Sequence, residues 1–391
     1  MINNLIKEIE AELISIRRSF HKIPELSFKE YKTADLICSI LEKNGLKYER
    51  ICQTGVVCNI GNKTDDNNKT ILIRADIDAL PIEEKNDKEY ASDHQGIMHA
   101  CGHDVHIASL IGACIILNKL NDRFDGCVKA VFQPGEEDEG GAEPMILAGI
   151  MENPKVDAAI ALHVEPLSKV GTLQFRNGSI MASPDDFEII IKGVGGHGAC
   201  PQDCNNPIYT ASELISDLSK IVADNFDDES KCVVSVCTVN GGTFNNIIPD
   251  TVTITGTARS LDIDTRDKID KLIYNYTKKA CDKNNCSFAY TFNRRYPPVI
   301  NDEKINNIVI KSAKELEKFD NIEFLEKSSM TGDDFSYFAQ IVPSSYFKLG
   351  VGNDYINSPL HSPNFDIDER AISFGAAILA QSAINYLKSD I

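Results

Sequence analysis

Apolar residues along this chain fall into two patterns, short runs that are mostly apolar and recurrences at helical spacing. The recurrences predict one helix before Pro24, a second over 30–43 and a mostly apolar helix over 104–120. The short runs are bounded by Gly, Pro or Asp, as is typical of strands buried on both faces, and they lie at 70–75, 128–132 and 158–162. Because strands and helices alternate, this part of the chain is predicted to be α/β.

Residues 183–292 follow a different order. A strand, a helix, two strands, a helix and a strand succeed one another, which is the βαββαβ order of a ferredoxin-like α+β unit. The predicted elements are 187–192, 207–221, 232–239, 251–258, 265–281 and 287–292.

After residue 292 strands and helices alternate again, with a helix over 302–318, a strand over 346–349 and a helix over 368–386. We therefore expect an α/β domain with a mixed sheet flanked by helices, interrupted by a smaller inserted domain. The expected bounds are 1–182 and 293–391 for the first domain and 183–292 for the insert.

Composition limits the classes of partner. The net charge of the 391 residues is -18, which argues against nucleic acid or an anionic membrane, because phosphate groups are bound by concentrated Lys and Arg. No stretch reaches the roughly 20 apolar residues of a membrane span, and the first residues lack the pattern of a signal peptide. We expect a cytoplasmic protein whose twelve cysteines are mostly buried, reduced thiols.

Five potential metal ligands are spread over three quarters of the sequence. Cys101 and His103 stand two residues apart, so a thiolate and an imidazole can turn toward one point. Glu137 follows one predicted strand, His163 ends another, and His361 lies in the C-terminal segment. That segment must fold back on the N-terminal part of the chain if all five side chains are to meet.

Acidic residues supply the remaining chemistry. Adjacent acids in a loop point in different directions, so we assign Glu137 as a ligand and Glu136 as the general base that activates a water bridging two metal ions. Asp76 and Asp78 lie at a predicted strand end, where a carboxylate can orient a metal-binding histidine. Turn-forming or capping aspartates are the competing interpretation for these two positions.

A nitrogen, oxygen and sulfur donor set suits Zn, Mn, Co or Ni better than Mg or Ca. Five protein ligands are more than one open zinc site takes, and two divalent ions about 3.5 to 4 Å apart account for the excess. Taken alone, Cys101 is better explained as a buried inert thiol, and His163 is explained equally well as a core histidine or as a ligand. The combination of all these residues favours the metal site. His94, His99 and His106 are expected on the surface, on a helix face or as supports of the ligands.

The sequence resembles the dinuclear-metal amidohydrolases that include hippurate hydrolases, N-acyl-amino-acid deacylases, N-acetyl-diaminopimelate deacetylases and the plant hydrolases of auxin conjugates. The resemblance runs nearly from end to end and depends on the runs at 17–28, 74–81, 98–106, 133–137, 195–199, 245–250 and 360–368. In this branch Cys101 and His103 stand where other aminoacylase relatives use an aspartate bridge and a differently placed histidine.

The resemblance implies roles for particular residues. Cys101 would bridge the two metals, Glu136 would be the base and Asp78 a supporting acid. The inserted domain would be a lid that pairs two subunits into a homodimer, with association beyond the dimer left open. His197 would reach the active site of the partner subunit and polarise the scissile carbonyl oxygen.

Two further lid residues and two departures bear on the substrate. Asn245 and Arg259 resemble lid residues that touch the substrate, and a guanidinium such as that of Arg259 can hold a carboxylate by paired hydrogen bonds. Gln202 stands where relatives commonly have histidine, and Asp333 stands where they often have glutamate. Neither departure affects the five ligands, so both concern specificity.

We therefore predict a metal-dependent amidohydrolase that cleaves the amide bond of N-acyl amino acids. One alternative is a dipeptidase or carboxypeptidase of the same fold. The other is a non-catalytic metal-binding or redox-sensing protein in which Cys101 acts as a switch. Glu136 argues against the latter, because sensing needs no water-activating acid.

Overall fold

The computed structural model describes residues 1–62 and 68–390, and the chain forms two compact units. Unit 1 comprises Met1–Ile180, Ile300–Lys327 and Asp334–Ile391. Unit 2 comprises Met181–Val299 and Ser328–Asp333. The roles of catalytic domain, lid and dimerisation domain stay predictions.

Both units combine strands with helices, each numbered in chain order. The strands are β1 (Tyr48–Ile51), β2 (Gly55–Asn62), β3 (Thr70–Asp76), β4 (Gly126–Gln133), β5 (Ala158–Lys169), β6 (Thr172–Phe175), β7 (Gly178–Met181), β8 (Ser183–Lys192), β9 (Gly196–His197), β10 (Cys232–Asn240), β11 (Ile247–Ile248), β12 (Thr251–Ser260), β13 (Ser287–Asn293), β14 (Val299–Asn301), β15 (Asn321–Phe324) and β16 (Ser344–Gly352). The helices are α1 (Ile2–Lys22), α2 (Tyr31–Lys43), α3 (His103–Lys119), α4 (Ala142–Leu147), α5 (Pro207–Leu218), α6 (Ile221–Asn225), α7 (Ile263–Lys283), α8 (Glu303–Leu316), α9 (Ser336–Ala339) and α10 (Arg370–Leu387).

Unit 1 is built on a mixed sheet of eight strands within the described residues, in the order β1, β2, β4, β3, β5, β16, β6, β15. Strands β4, β3, β5 and β16 pair in parallel with their neighbours in this order, whereas β2 and β6 pair antiparallel with β4 and β16. The carboxyl ends of the four parallel strands therefore lie at one edge of the sheet, where α/β proteins commonly bind ligands. This arrangement confirms the predicted mixed sheet.

Helix α3 is buried along nearly its whole length. Its residues from His103 to Leu117 are all buried, so it lies inside unit 1 and not on its surface. Gly112 allows this packing, because a Cβ at that position would lie 2.7 Å from the Cβ of Ala376 on α10 and 2.8 Å from a methyl of Leu13 on α1. A larger residue there would separate the three helices.

Unit 2 contains a four-stranded antiparallel sheet in the order β10, β12, β8, β13. With α5 and α7 this gives the predicted βαββαβ succession and a ferredoxin-like topology. The unit has a core of its own, formed by residues such as Phe187, Leu214 and Ile273. The helix predicted over 207–221 is shorter than expected, since α5 ends at Leu218 and the short α6 follows.

Among the residues that the structure describes, no helix combines the length and the apolar character that crossing a membrane requires.

Candidate metal centre

The predicted ligands come together at the carboxyl edge of the unit 1 sheet. Strand β4 ends at Gln133 and leads into the loop that carries Glu136 and Glu137, and His163 lies on β5. Cys101 and His103 stand at the start of α3. The loop after β16 returns to the same place and brings His361 beside them.

Cys101, His103 and His163 form one group, in which one donor atom from each side chain lies within 4.8 Å of the others. The Cys101 Sγ lies 3.6 Å from the Nε2 of His163, and all three side chains are buried. The His163 ring donates from Nδ1 to the carbonyl oxygen of Val164 at 2.8 Å, which leaves Nε2 unprotonated and directed toward the thiol. That tautomer is the one that a metal ligand needs.

Cys101, Glu137 and His361 form a second group of the same size. The Nε2 of His361 lies 3.3 Å from Cys101 Sγ and 3.3 Å from Glu137 Oε1. His361 is held there although its φ of 60° is unusual for a residue other than glycine, because its backbone N–H donates to the carbonyl oxygen of Ala100. The two groups share Cys101, and all five predicted ligands are therefore brought together.

Glu136 lies next to these groups. One carboxylate oxygen of Glu136 is within 4.8 Å of donor atoms of His103 and Glu137, and the side chain is 8% exposed. It is near both the ligands and solvent, as a residue that exchanges protons with a substrate must be.

Asp78 contacts two of the predicted ligands. Its Oδ1 and its carbonyl oxygen lie 3.2 and 2.9 Å from Nδ1 of His103, and its Oδ2 accepts from the backbone N–H of Glu137 at 2.9 Å. The hydroxyl of Ser27 donates to the same Oδ2 at 2.7 Å. These donors lower the pKa of the Asp78 carboxyl although burial opposes them.

The electrostatics of the group suit a bound cation. Burial, with the carboxylates of Glu137 and Glu136, raises the pKa of Cys101 well above its usual value. Burial lowers the pKa of His103, but the carboxylates of Asp76 and Asp78 outweigh it and raise that pKa to about 10. A thiolate and a neutral imidazole can therefore stand side by side here only if a positive charge replaces the protons.

The residues present fit two divalent ions. Two buried ligand atoms, His103 Nε2 and Glu137 Oε1, make no hydrogen bond of good geometry within residues 1–62 and 68–390, although Glu137 Oε1 lies 3.3 Å from the Nε2 of His361. Such orphaned atoms are costly unless something else binds them. The donors are imidazole, thiolate and carboxylate, a set that suits Zn, Mn, Co or Ni.

The predicted lid residues all lie in unit 2. His197 is exposed on β9, and its Nδ1 accepts from the backbone N–H of Ala199 at 3.1 Å, so the ring proton of the neutral side chain is on Nε2. Asn245 is exposed in the loop before β11. Arg259 is partly buried on β12, where Nη1 donates to the carbonyl oxygens of Asp185 and Ala258 at 3.3 and 3.0 Å.

Sequence analysis missed the residues that hold the acidic loop. Glu30 Oε1 accepts from the N–H of Gly135 at 2.9 Å, and the two carboxylate oxygens of Asp334 accept from the amide of Gln133 at 2.8 Å. Both acids are fully buried. The sequence shows only that an acidic residue stands at each position, and it indicates neither the burial nor the hydrogen-bond partner of that residue.

Comparisons with known proteins agree with this geometry. A "Thermostable carboxypeptidase 2" from Saccharolobus solfataricus is 38% identical, with 98% of each chain covered. An "N-acetyl-L-cysteine deacetylase" from Bacillus subtilis is 37% identical over 98% of this chain and 90% of its own.

A solved Bacillus subtilis structure, described as a dinuclear metal binding peptidase from the M20 family, is 31% identical with a TM-score of 0.86 and covers 98% of this chain and 99% of its own. The family model described as peptidase family M20/M25/M40 matches residues 72–385. The fold, the paired ligand groups at the sheet edge and these matches agree, and the chain belongs to peptidase family M20/M25/M40.

Proposed function

We propose that this protein hydrolyses the amide bond of N-acyl amino acids with the help of two divalent metal ions. The observation that carries the proposal is the pair of ligand groups that share Cys101, with Glu136 beside them. The similarity to a protein named N-acetyl-L-cysteine deacetylase supports the choice of substrate class.

Cys101, His103 and His163 would hold one ion, and Cys101, Glu137 and His361 the other. Manganese, zinc, cobalt and nickel all accept such donors, and metal supply decides among them. When bound, the ions supply a Lewis acid for the acyl carbonyl and make water acidic enough to ionise near neutral pH.

Glu136 is proposed as the general base. Its carboxylate takes a proton from the attacking water and returns it to the amine nitrogen as the amide bond breaks. Asp78 keeps Nδ1 of His103 engaged, which fixes the orientation of that ring. Asp76 is a support of a different kind, because its hydrogen bond to a histidine goes to His106, which is not one of the predicted ligands.

The lid residues would complete the site. The Nε2–H of His197 is suited to donate to the oxyanion that develops on the carbonyl, and we propose that it does so in the partner subunit of a homodimer through unit 2. Asn245 would touch the substrate, and the guanidinium of Arg259 would hold its free carboxylate by paired hydrogen bonds. The twelve free thiols fit a reducing compartment, and we propose the cytoplasm.

Two variants separate the proposed base from the proposed metal ligands. Glu136→Gln should keep the metal content of the wild type and lower kcat by at least ~10²-fold, because only proton transfer is removed. His361→Asn should lose metal and activity together. Elemental analysis and release of acetate from N-acetyl amino acids measure both effects. A Glu136→Gln protein that retains most of its activity contradicts the base assignment.

A second candidate function is peptide cleavage as a carboxypeptidase or dipeptidase. The 38% identity to a protein named carboxypeptidase favours it. A panel of N-acetyl amino acids, N-benzoylglycine and dipeptides with a free amino group separates the two, with a chelator-treated sample as the control. Faster cleavage of the dipeptides than of every acylated substrate would replace the first proposal by the second.

A further inference from the structure

His106 has no role in the reaction proposed above, yet both of its ring nitrogens are engaged. The ring is 1% exposed on α3. Its Nε2 lies 3.0 Å from the backbone N–H of Val164, which can only donate, so Nε2 carries no proton. The proton is therefore on Nδ1, which donates to Asp76 Oδ1 at 2.5 Å.

This tautomer decides whether His106 is a ligand. Donor atoms of Asp76, His103 and His106 lie within 4.8 Å of one another, which could indicate a further metal site. The Nε2 lone pair of His106 is, however, already occupied by the N–H of Val164, and Nδ1 carries the proton that it donates to Asp76, so neither nitrogen is available to an ion. His106 is thus a structural partner of the site and not a ligand.

Asp76 is itself held in place by Arg74. The guanidinium donates from Nη1 to Asp76 Oδ2 at 2.6 Å, from Nη2 to Asp334 at 2.8 Å and from Nε to Gln133 at 2.9 Å. Arg74, Asp76 and Asp334 are all at most 1% exposed. A buried, bidentate-capable cation with this many acceptors has little freedom, so the direction of Asp76 Oδ1 is set.

Val164 is the point where His106 meets the proposed metal site. The parallel register of β3 with β5 ends at the pair Arg74 and Ala161, so β3 supplies no acceptor for the N–H of Val164. His106 supplies that acceptor, while the carbonyl oxygen of Val164 accepts from His163 Nδ1 at 2.8 Å. The rings of His106 and His163 have centroids 4.8 Å apart at 65°.

We propose that His106 is a positioning residue for His163. Arg74 orients Asp76, Asp76 fixes the tautomer of His106, and His106 anchors the backbone at Val164 so that His163 presents Nε2 to the ion it shares with Cys101. The inference rests on the proposed metal site, and it assigns to the final histidine of the 98–106 run a function in metal affinity instead of catalysis.

Two substitutions of His106 separate the anchor from simple packing. Glutamine can place an oxygen where Nε2 lies, so His106→Gln keeps the acceptor for Val164. Asparagine reaches only the position of Nδ1, so His106→Asn leaves that N–H buried without a partner. We expect His106→Asn to raise the dissociation constant of Mn²⁺ or Zn²⁺ by ~10- to 100-fold, either for the more weakly bound of the two ions or for both. His106→Gln should raise the same constant by less than about threefold.

Metal dissociation constants are measured by competition with a chelator, and the thiolate-to-Co²⁺ absorption band reports on coordination at Cys101. Urea unfolding of the metal-free proteins measures the structural cost of each variant separately. His94→Asn, at a histidine outside this network, is the control and should bind metal as the wild type does. Equal affinities for His106→Asn and His106→Gln overturn the inference, as does a loss that only follows the loss of metal-free stability.

The outcomes distinguish this inference from the proposed function. A wild-type protein that binds two ions but cleaves no amide contradicts the proposed function. The inference about His106 is then still tested by the metal affinities of His106→Asn and His106→Gln. A wild type that binds no ion at Cys101 overturns both.

Discussion

Glu30 is a buried acid whose charge in the folded protein depends on pH near neutrality. Burial, with a smaller contribution from the Asp78 carboxylate, raises the pKa of Glu30 to about 7, although donors such as Thr54 oppose the shift. The usual value, 4.5, applies to the unfolded chain. Between these values the folded protein binds a proton that the unfolded chain has lost, so the contribution of Glu30 to stability is present below about pH 4.5 and lost as the pH rises toward 7.

Glu30→Gln removes this titration and keeps an oxygen for the N–H of Gly135. The free energy of unfolding of the variant should therefore rise relative to the wild type as the pH increases from 4.5 to 7. Urea unfolding of the metal-free proteins at several pH values measures the difference. A difference that is constant over this range, or one that falls, would show that Glu30 keeps its charge in the folded state.

At the same scale, sequence analysis identified side chains better than their partners. Cys101, His103 and Glu137 could be recognised because ligand types stand close together in short runs, and the structure brings them together with the rest. The contact of Glu30 with Gly135 spans 105 residues, and that of Asp334 with Gln133 spans 201. Such contacts depend on the folded topology, and no local sequence pattern predicts them.

Among the elements, the segment after α1 controls the acidic loop by close packing. A Cβ on Gly135 would lie 2.5 to 2.8 Å from three atoms of the Phe28 ring, and the φ of Gly135 is +67°. Gly135→Ala should therefore cost about 2 to 4 kcal/mol of unfolding free energy, from overpacking and from the left-handed backbone together. Gly45→Ala is a matched control, since its φ is +69° and nothing lies within 4 Å, and it should cost only about 1 to 2 kcal/mol.

Combining Gly135→Ala with Phe28→Leu isolates the contact. The double variant should be more stable than the sum of the single changes predicts, by about 1 kcal/mol or more, because the smaller side chain makes room for the added methyl. Chemical unfolding of the four proteins gives this coupling energy. Additivity within about 0.5 kcal/mol would mean that the ring moves away at no cost, and that the segment does not hold the loop.

The burial and length of each strand explain which strands could be predicted from the sequence. Strands β3 and β4 are buried at every position, so each appears in the sequence as a mainly apolar run, although β3 contains Arg74 and β4 contains Lys129. Strand β1 is mostly exposed at an edge of the sheet, and β6 and β15 have four residues each, so none carries enough periodicity to be distinguished from a loop. The order of strands in the sheet comes from long-range pairing that periodicity does not encode.

For the whole molecule, the site raises the question of which subunit supplies His197. Unit 2 has a core separate from that of unit 1. Its two-stranded ribbon of β9 and β11 exposes His197, whose Nδ1 is the ring nitrogen that accepts from the backbone N–H of Ala199. If the proposed homodimer shares its sites, each active site combines Glu136 of one subunit with His197 of the other. Variants lacking either residue would then be inactive alone but complementary when mixed.

Subunits of Glu136→Gln and His197→Ala, mixed one to one and allowed to exchange, should recover up to about a quarter of wild-type activity, because half the dimers are mixed and each has one intact site of two. Native mass spectrometry verifies that mixed dimers have formed. The control mixes Glu136→Gln with His361→Asn, whose defects both lie at the metal centre, and it should recover nothing. If the first mixture also stays inactive although mixed dimers are present, His197 acts within its own subunit or not at all, and the shared site is wrong.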